Sequence, residues 1–195
     1  IEIIYDKKKG IYKAINEGLK LVSGRHILLL HGDNFLFPNS TNIIEENLSN
    51  NLSLQFGSYL YKNGKIKKFF YSELNFLKLI SGLFPPHHGL ILLTKDFRTL
   101  GKYNENFKIC SDFEYYIRIF KNKIKMKYIP INIVVSPLGG ISTSGFKSII
   151  KIIVERIEIL NRHFSFLLPV FPLTILIGYS IKIFDRFLIK RKYKY

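Results

Sequence analysis

Two acidic positions in this chain stand where a carboxylate could meet a ligand. The run Ile27-Leu28-Leu29-Leu30 is short, apolar and uncharged, and it ends abruptly in the turn His31-Gly32-Asp33-Asn34. A buried strand that delivers a carboxylate to its C-terminal edge is how open α/β sheets build ligand sites; Gly-Asp-Asn is also ordinary turn chemistry. Asp112, preceded by Ser111, opens an apolar-periodic stretch, as a functional carboxylate at a helix N-terminus or as the helix N-cap. His87 and His88 are adjacent without a carboxylate at ligand spacing, a weak pattern for a metal. They suit a hydrogen bond to phosphate or another ligand, or a satisfied pocket wall. Arg118 can pair with a phosphate or with Glu114 at i, i+4, and the spacing favours the ion pair. Gly139-Gly140 is an anion-binding loop or a plain turn. Cys110 reads as a small buried filler.

The elements that would position these groups follow from periodicity. Ile11, Ala14, Ile15, Leu19 and Val22 recur at spacings of three and four, predicting one helix face that Ser23-Gly24 would end. The strand 27–30 follows. A second helix opens at Pro38-Asn39-Ser40, with Asn42 and Glu45 at capping-box spacing, and runs to about Leu48. Residues 53–61 and 65–70 are β-rich runs around Asn63-Gly64, a hairpin signal that makes the sheet mixed. Next come a short helix over 73–80, an apolar strand over 89–94, and a helix over 112–121 with Phe113, Tyr116, Ile117 and Phe120 at helical spacing. Residues 124–130 and 131–136 are extended segments around Pro130. From Phe146 to about Arg162, Ile149, Ile150, Ile153, Ile157 and Leu160 form a stripe opposite Lys151, Glu155, Glu158 and Arg162, an amphipathic helix.

Composition bounds the rest. A length of 195 residues allows one substantial core or a domain plus an appendage, and 47% apolar residues exclude a disordered chain. The net charge of +16 admits nucleic acid, anionic lipid or phosphorylated substrates. Nucleic acid is set aside, because the positive charges are dispersed or gathered in the C-terminal tail, not around an aromatic recognition motif. The single cysteine excludes an intrachain disulfide and any Cys-cluster zinc site, and fits a reducing compartment. Residues 164–181 carry no charge, are interrupted by Pro169 and Pro172, and precede a Lys/Arg-rich end. They read as a segment on or in a membrane, its basic end on lipid headgroups, or as a core or dimer helix. The chain opens on Ile1-Glu2-Ile3-Ile4-Tyr5-Asp6 without an initiator Met or a charged-then-apolar leader, so an N-terminally incomplete protein is expected.

The order of motifs resembles the inverting family-2 glycosyltransferases of the GT-A fold. Gly10-Ile11-Tyr12-Lys13-Ala14-Ile15-Asn16-Glu17-Gly18-Leu19 is similar to that family's G-I-Y-D-A-M-N-x-G-I segment, with Ser23-Gly24 and then His31-Gly32-Asp33-Asn34 in place of its N-S-D-D turn. Pro86-His87-His88-Gly89, the loop 97–107, Ile109-Cys110-Ser111-Asp112-Phe113-Glu114-Tyr115-Tyr116-Ile117-Arg118 and Gly139-Gly140-Ile141-Ser142 continue the likeness over residues 5–162. There are two departures: Asn34 stands where the family's second acidic residue ligates a divalent metal, and Lys13 replaces a common Asp. The family's first strand, which carries base-binding residues, would precede Ile1.

The resemblance implies an α/β fold: a GT-A (nucleotide-diphospho-sugar transferase), Rossmann-like mixed sheet flanked by helices. A GT-A domain over 1–145 would be followed by a helical, membrane-associated extension over 146–195. It implies a nucleotide-diphospho-sugar donor held by Asp33, Asn34, His31, Gly10 and Asn16, with Mg²⁺ or Mn²⁺ on Asp33 and Asn34. An amide brings no charge, so metal affinity should fall unless Asp33 or the diphosphate supplies negative ligands. Asp112 corresponds to the base that takes the acceptor proton; a helix N-terminus favours its ionised form, against which apolar Phe113 and Cys110 would act. His87, His88, Arg118, Gly139 and Gly140 would meet acceptor or phosphate. The implied acceptor is a lipid-linked or cell-surface glycan, and the implied location is cytoplasmic, peripheral on the inner face of the cell membrane. A catalytically inactive glycosyltransferase-like binding or scaffold fragment is the rival that Asn34 keeps open.

Overall fold

The computed structural model describes residues 10–62, 65–69, 73–137 and 146–165, together with 173, 178 and 180. Helix α1 (Ile11–Leu19) is followed by β1 (His26–Leu28), β2 (Phe35–Leu36), α2 (Ser40–Asn47), β3 (Ser53–Lys62) and β4 (Lys65–Phe69). Then come α3 (Phe76–Ile80), β5 (Leu90–Leu93), α4 (Thr94–Leu100), α5 (Ser111–Lys121), β6 (Met126–Pro137) and α6 (Phe146–Phe164). A 3₁₀ turn over His87–Gly89 leads into β5.

The strands form one mixed sheet in the order β1-β5-β3-β6-β2, and β4 pairs with the outer half of β3. Among the described strands only β3 and β6 run parallel. Strand β3 is central, and Ser53 to Ser58 are buried, so this run lacks the half-polar alternation of an edge strand. The hairpin register Tyr61↔Ile66 and Lys62↔Lys65 leaves two residues between the strands, as the Asn63-Gly64 signal predicts. Those two residues lie outside the described ones.

The two segments expected around Pro130 are one strand. Phe56 pairs with Ile129 and Gly57 with Asn132, so Pro130 and Ile131 bulge out of the ladder, both exposed. Proline has no N–H to give the ladder, and a bulge lets the strand continue past it. Helix α4 falls partly in what reads as a loop, because Thr94–Leu100 is too short to show a periodic stripe. The capping box expected at α2 does not form. Asn39, in a left-handed conformation with φ 65°, is the cap residue, and Asn42 Nδ2 donates to Asn39 Oδ1 at 2.7 Å inside the first turn.

The sheet buries two clusters. Leu54, Phe56, Ile91, Ile129, Ile133 and Val134 pack with Ile43 and Ile44 of α2. The larger cluster includes Leu79, Leu92, Phe107, Phe113, Tyr116 and Ile117. Helix α6 contributes Ile152, Ile159, Leu160 and Phe164 to it. Its orientation differs from the expected stripe: Glu155 and Arg156 face inward, whereas Ile149, Ile150 and Val154 are exposed. The buried groups of α5 and the loop before it offer Glu155 and Arg156 polar and aromatic partners, which hydropathy alone does not register.

Gly178 is buried against the Ser81 carbonyl, just beyond α3. Most of the expected membrane-associated extension lies outside the described residues, as do Gly139 and Gly140. Among the described residues no helix is long and apolar enough to cross a membrane.

Candidate active site

The turn after β1 closes through a hydrogen bond from Asn34 N to His31 O at 2.9 Å, which places Gly32 and exposed Asp33 at its corner. Asn34 Nδ2 donates to Ser136 Oγ at 2.5 Å, and the same hydroxyl meets His88 Nε2 at 3.0 Å. His31 Nε2 lies 3.1 Å from His87 Nε2, with ring centroids 4.7 Å apart. The ends of β1 and β6 and the turn before β5 thus bring together His31, Asp33, Asn34, His87, His88 and Ser136. Ser136 is the member sequence reasoning missed; a lone serine in a β-rich run gives no signal.

Burial sets the protonation of the three imidazoles. It holds His31 below the usual histidine range against the opposing charge of Asp33. It pushes His88 down to about 4, with His31 adding to the shift and Asp33 opposing it. His87 is held well below the usual range by burial, then by His31 and His88. At neutral pH the cluster is therefore uncharged imidazole, which can donate to a phosphate oxygen from one ring nitrogen and accept at the other.

Two features position the histidine pair. Gly89 packs against β3 so closely that a Cβ would collide with the Phe56 carbonyl oxygen. Gln55 Nε2 donates to Pro86 O at 3.2 Å, and Gln55 Oε1 accepts from Tyr116 Oη at 2.5 Å, linking this turn to β3 and α5.

Asp112 is the second residue of α5, two residues beyond the cap, because Cys110 is the cap residue and makes no side-chain cap bond. The N-cap alternative is therefore excluded. Asp112 Oδ1 accepts from Phe113 N at 2.7 Å. Tyr12 serves the helix end instead: its hydroxyl donates to Ile109 O at 2.6 Å and lies against the Asp112 and Ser111 amides. Burial, then the Asp112 charge, raises the Tyr12 phenol far above its usual range, so it stays a neutral donor. Cys110 is buried and its thiol is pushed up to about 12 by burial and by Asp112, which makes it an inert filler.

A row of rings joins the two acidic positions. His31 contacts His87, His87 lies 6.2 Å from Tyr103, and Tyr103 stacks on Tyr115 at 4.1 Å. Tyr103 is close enough to Asp112 for that charge to help raise its phenol, although burial raises it most. Tyr103 Oη and Ser111 Oγ are buried without a hydrogen-bond partner among the described residues, so either hydroxyl can serve a ligand or a water.

The remaining expected residues divide. Gly10 is exposed at the cap of α1 with φ 107°, where a side chain would be strained. Asn16 does not point to a donor. Its Nδ2 donates to Tyr103 O and Glu105 Oε1, both at 2.9 Å, and its Oδ1 accepts from Tyr103 N at 2.8 Å, so a buried amide is fully engaged in holding the 103–105 loop. Arg118 forms the ion pair with Glu114 at 2.8 Å, donates to the Lys102 and Leu100 carbonyls and covers the Tyr115 ring. These contacts make it a brace between α5 and residues 100–102. Burial alone would raise the Glu114 carboxyl, but hydrogen bonds from His163 and Arg118 outweigh it and hold the group low.

For a divalent cation, Asp33 and Asn34 offer one carboxylate and one amide oxygen, and among the described residues no three His, Cys, Asp or Glu groups could hold one ion. That donor set fits a cation brought by a diphosphate, which would supply most of the ligands; it does not fit one held by the protein alone.

No protein-family model and no curated protein matches this sequence. Solved structures do. S. aureus TarS 1-349 superposes with a TM-score of 0.56 at 12% identity, over 87% of this chain and 51% of that one. The same protein in complex with UDP-GlcNAc gives 0.54 at 17%, over 81% and 54%. This chain thus spans about half the length of the structures it matches. Over 87% of its length the chain therefore shares the mixed α/β fold of the TarS structure.

Proposed function

We propose that this protein is a glycosyltransferase that moves a sugar from a nucleoside-diphosphate donor to a hydroxyl of a lipid-linked or cell-surface glycan, with inversion. The observation that carries the reading is the meeting of the turn His31–Asn34 with the His87–His88 pair, together with Tyr103, whose ring lies 6.2 Å from that of His87 and whose hydroxyl feels the Asp112 charge. The structural neighbours include a UDP-GlcNAc complex, which supports a uridine nucleotide-sugar as the donor class.

Asp112 takes the proton from the acceptor hydroxyl as its oxygen bonds to the anomeric carbon. The bond from that carbon to the diphosphate oxygen breaks, and its electron pair leaves with the nucleotide; one in-line displacement inverts the centre. His88 and one of the paired His31 and His87, the other having given its only N–H to its partner, donate hydrogen bonds to diphosphate oxygens without the cost of a buried charge. Mg²⁺ or Mn²⁺ carried with the donor would be met by Asp33 and Asn34 and would neutralise diphosphate charge. The basic, apolar C-terminal sequence supports a peripheral place on the cytoplasmic face of the cell membrane.

The test is UDP release from UDP-GlcNAc with acceptor lipid extract and Mn²⁺, followed by phosphorus NMR, for wild type and Asp112→Asn. Turnover lost in the variant supports the base; turnover equal in both sinks it. One observation favours a binding-only protein: Asn34 holds Ser136 with its amide where a second carboxylate would hold a metal. Saturable UDP-GlcNAc binding without any turnover would select that reading.

A further inference from the structure

Two adjacent residues of α6 grip the chain on either side of Asp112. Before it, Glu155 accepts from three consecutive backbone amides: Lys108 N on Oε1 at 2.9 Å, and Ile109 N and Cys110 N on Oε2 at 3.0 and 2.9 Å. After it, the Arg156 guanidinium lies 5.3 Å from the Phe113 ring centroid and 5.7 Å from that of Phe84. Both side chains are only 7% exposed. Arg156 also rests on Gly82, whose φ of +71° and lack of Cβ leave room for the guanidinium.

A buried carboxylate is costly unless it is well hydrogen-bonded, and an aliphatic residue at position 155 would suit a core-facing helix surface better. What Glu155 supplies is specific to the loop: both oxygens act as acceptors for a run of amides that ends one residue before α5. This is a backbone anion nest filled by a side chain of the same protein. The run fixes Cys110, the cap residue, and through it the direction in which α5 leaves and Asp112 projects.

We propose that Glu155 is the positioning residue for Asp112, with Arg156 fixing the other side of the same turn. The inference rests on the reading of Asp112 as the base, and it assigns a residue to the accuracy of that base. Donor contacts at His31, Asp33, His87 and His88 come from other elements, so loss of Glu155 should lower kcat and leave the donor KM in place.

Glu155→Gln puts an amide NH₂ against at least one backbone donor, whereas Glu155→Asp keeps the carboxylate on a shorter stem. The experiment compares the two full-length variants with wild type by three measurements: hydrogen exchange at the 108–110 amides, the ¹³C titration of the Asp112 carboxyl, and UDP release from UDP-GlcNAc. In folded Glu155→Gln we expect faster exchange at those amides, a displaced Asp112 titration, and a kcat reduced on the order of 10- to 100-fold with donor KM within about twofold. Glu155→Asp should recover part of each. Unchanged exchange and titration in a folded variant would overturn the proposal, as would kcat and KM falling only in proportion to the folded fraction. If Glu155→Gln does not fold, the same criteria apply to Glu155→Asp. Should wild type release no UDP, or Asp112→Asn release as much, the base reading fails, and exchange with the ¹³C titration still decides whether Glu155 places Asp112.

Discussion

Asp112 illustrates how one side chain takes its meaning from its immediate neighbours. It sits past the helix cap, beside a neutral Tyr12 phenol and two unpartnered hydroxyls, with one oxygen accepting from the first-turn amide of Phe113. Asp112→Asn is expected to lower kcat for UDP release by roughly 10²- to 10⁴-fold, the usual range for a lost general base, with little change in thermal stability. Asn16 makes the opposite prediction. Truncation to Ala strands the buried Tyr103 N–H and carbonyl and should cost about 2–4 kcal/mol of stability in a urea titration. Its position in the G-I-Y segment is legible from the sequence, but its role is not, because only the fold brings Tyr103 to it across 87 positions.

At the scale of elements, the site depends on how closely the turn before β5 lies against β3. Gly89→Ala would force the Phe56 carbonyl and the turn apart, costing about 1–3 kcal/mol and moving His87 and His88. Chemical denaturation together with the donor KM checks both effects: a variant as stable as wild type with unchanged KM contradicts the close approach. The hairpin, the strand before Asp33 and helix α5 are legible in the sequence, because hydrophobic period and Asn-Gly turn chemistry are local. The inward face of α6 is not. Glu155 and Arg156 look like a solvated face until the 108–110 amides and the Phe113 ring are in place to receive them.

For the whole molecule, the neutral histidine cluster links the site to stability. The folded state holds His88 at about 4 against an ordinary 6.5, so the unfolded chain takes up protons first as pH falls. Stability should be level above about pH 6.5 and decline toward pH 4 by roughly 3 kcal/mol from this group, with buried His87 adding in the same direction. His31 and Asp33 face the same cluster, the first adding to the shift of His88 and the second opposing it. Urea midpoints across this range for wild type and His88→Asn measure it; equal slopes would contradict the assignment. The charge of +16 makes a second global prediction: binding to phosphatidylglycerol vesicles, weakened by salt and absent on neutral vesicles, in a sedimentation assay.

The sequence by itself determined the mixed α/β class, the helix that follows Ser111 and the Arg118–Glu114 pair, since each is written in spacings of a few residues; the buried strand expected over 27–30 is instead a three-residue edge strand, His26–Leu28, with Leu30 exposed and Asp33 five residues beyond its end. Only the tertiary structure decided which polar groups meet. Ser136 reached Asn34 and His88, His31 reached His87, and Glu155 reached the loop before Asp112, across separations of 102, 48, 56 and about 45 residues. The physical reason is that a buried polar group must find a partner, and the partner is chosen by strand order and helix packing, not by the residues beside it in the chain.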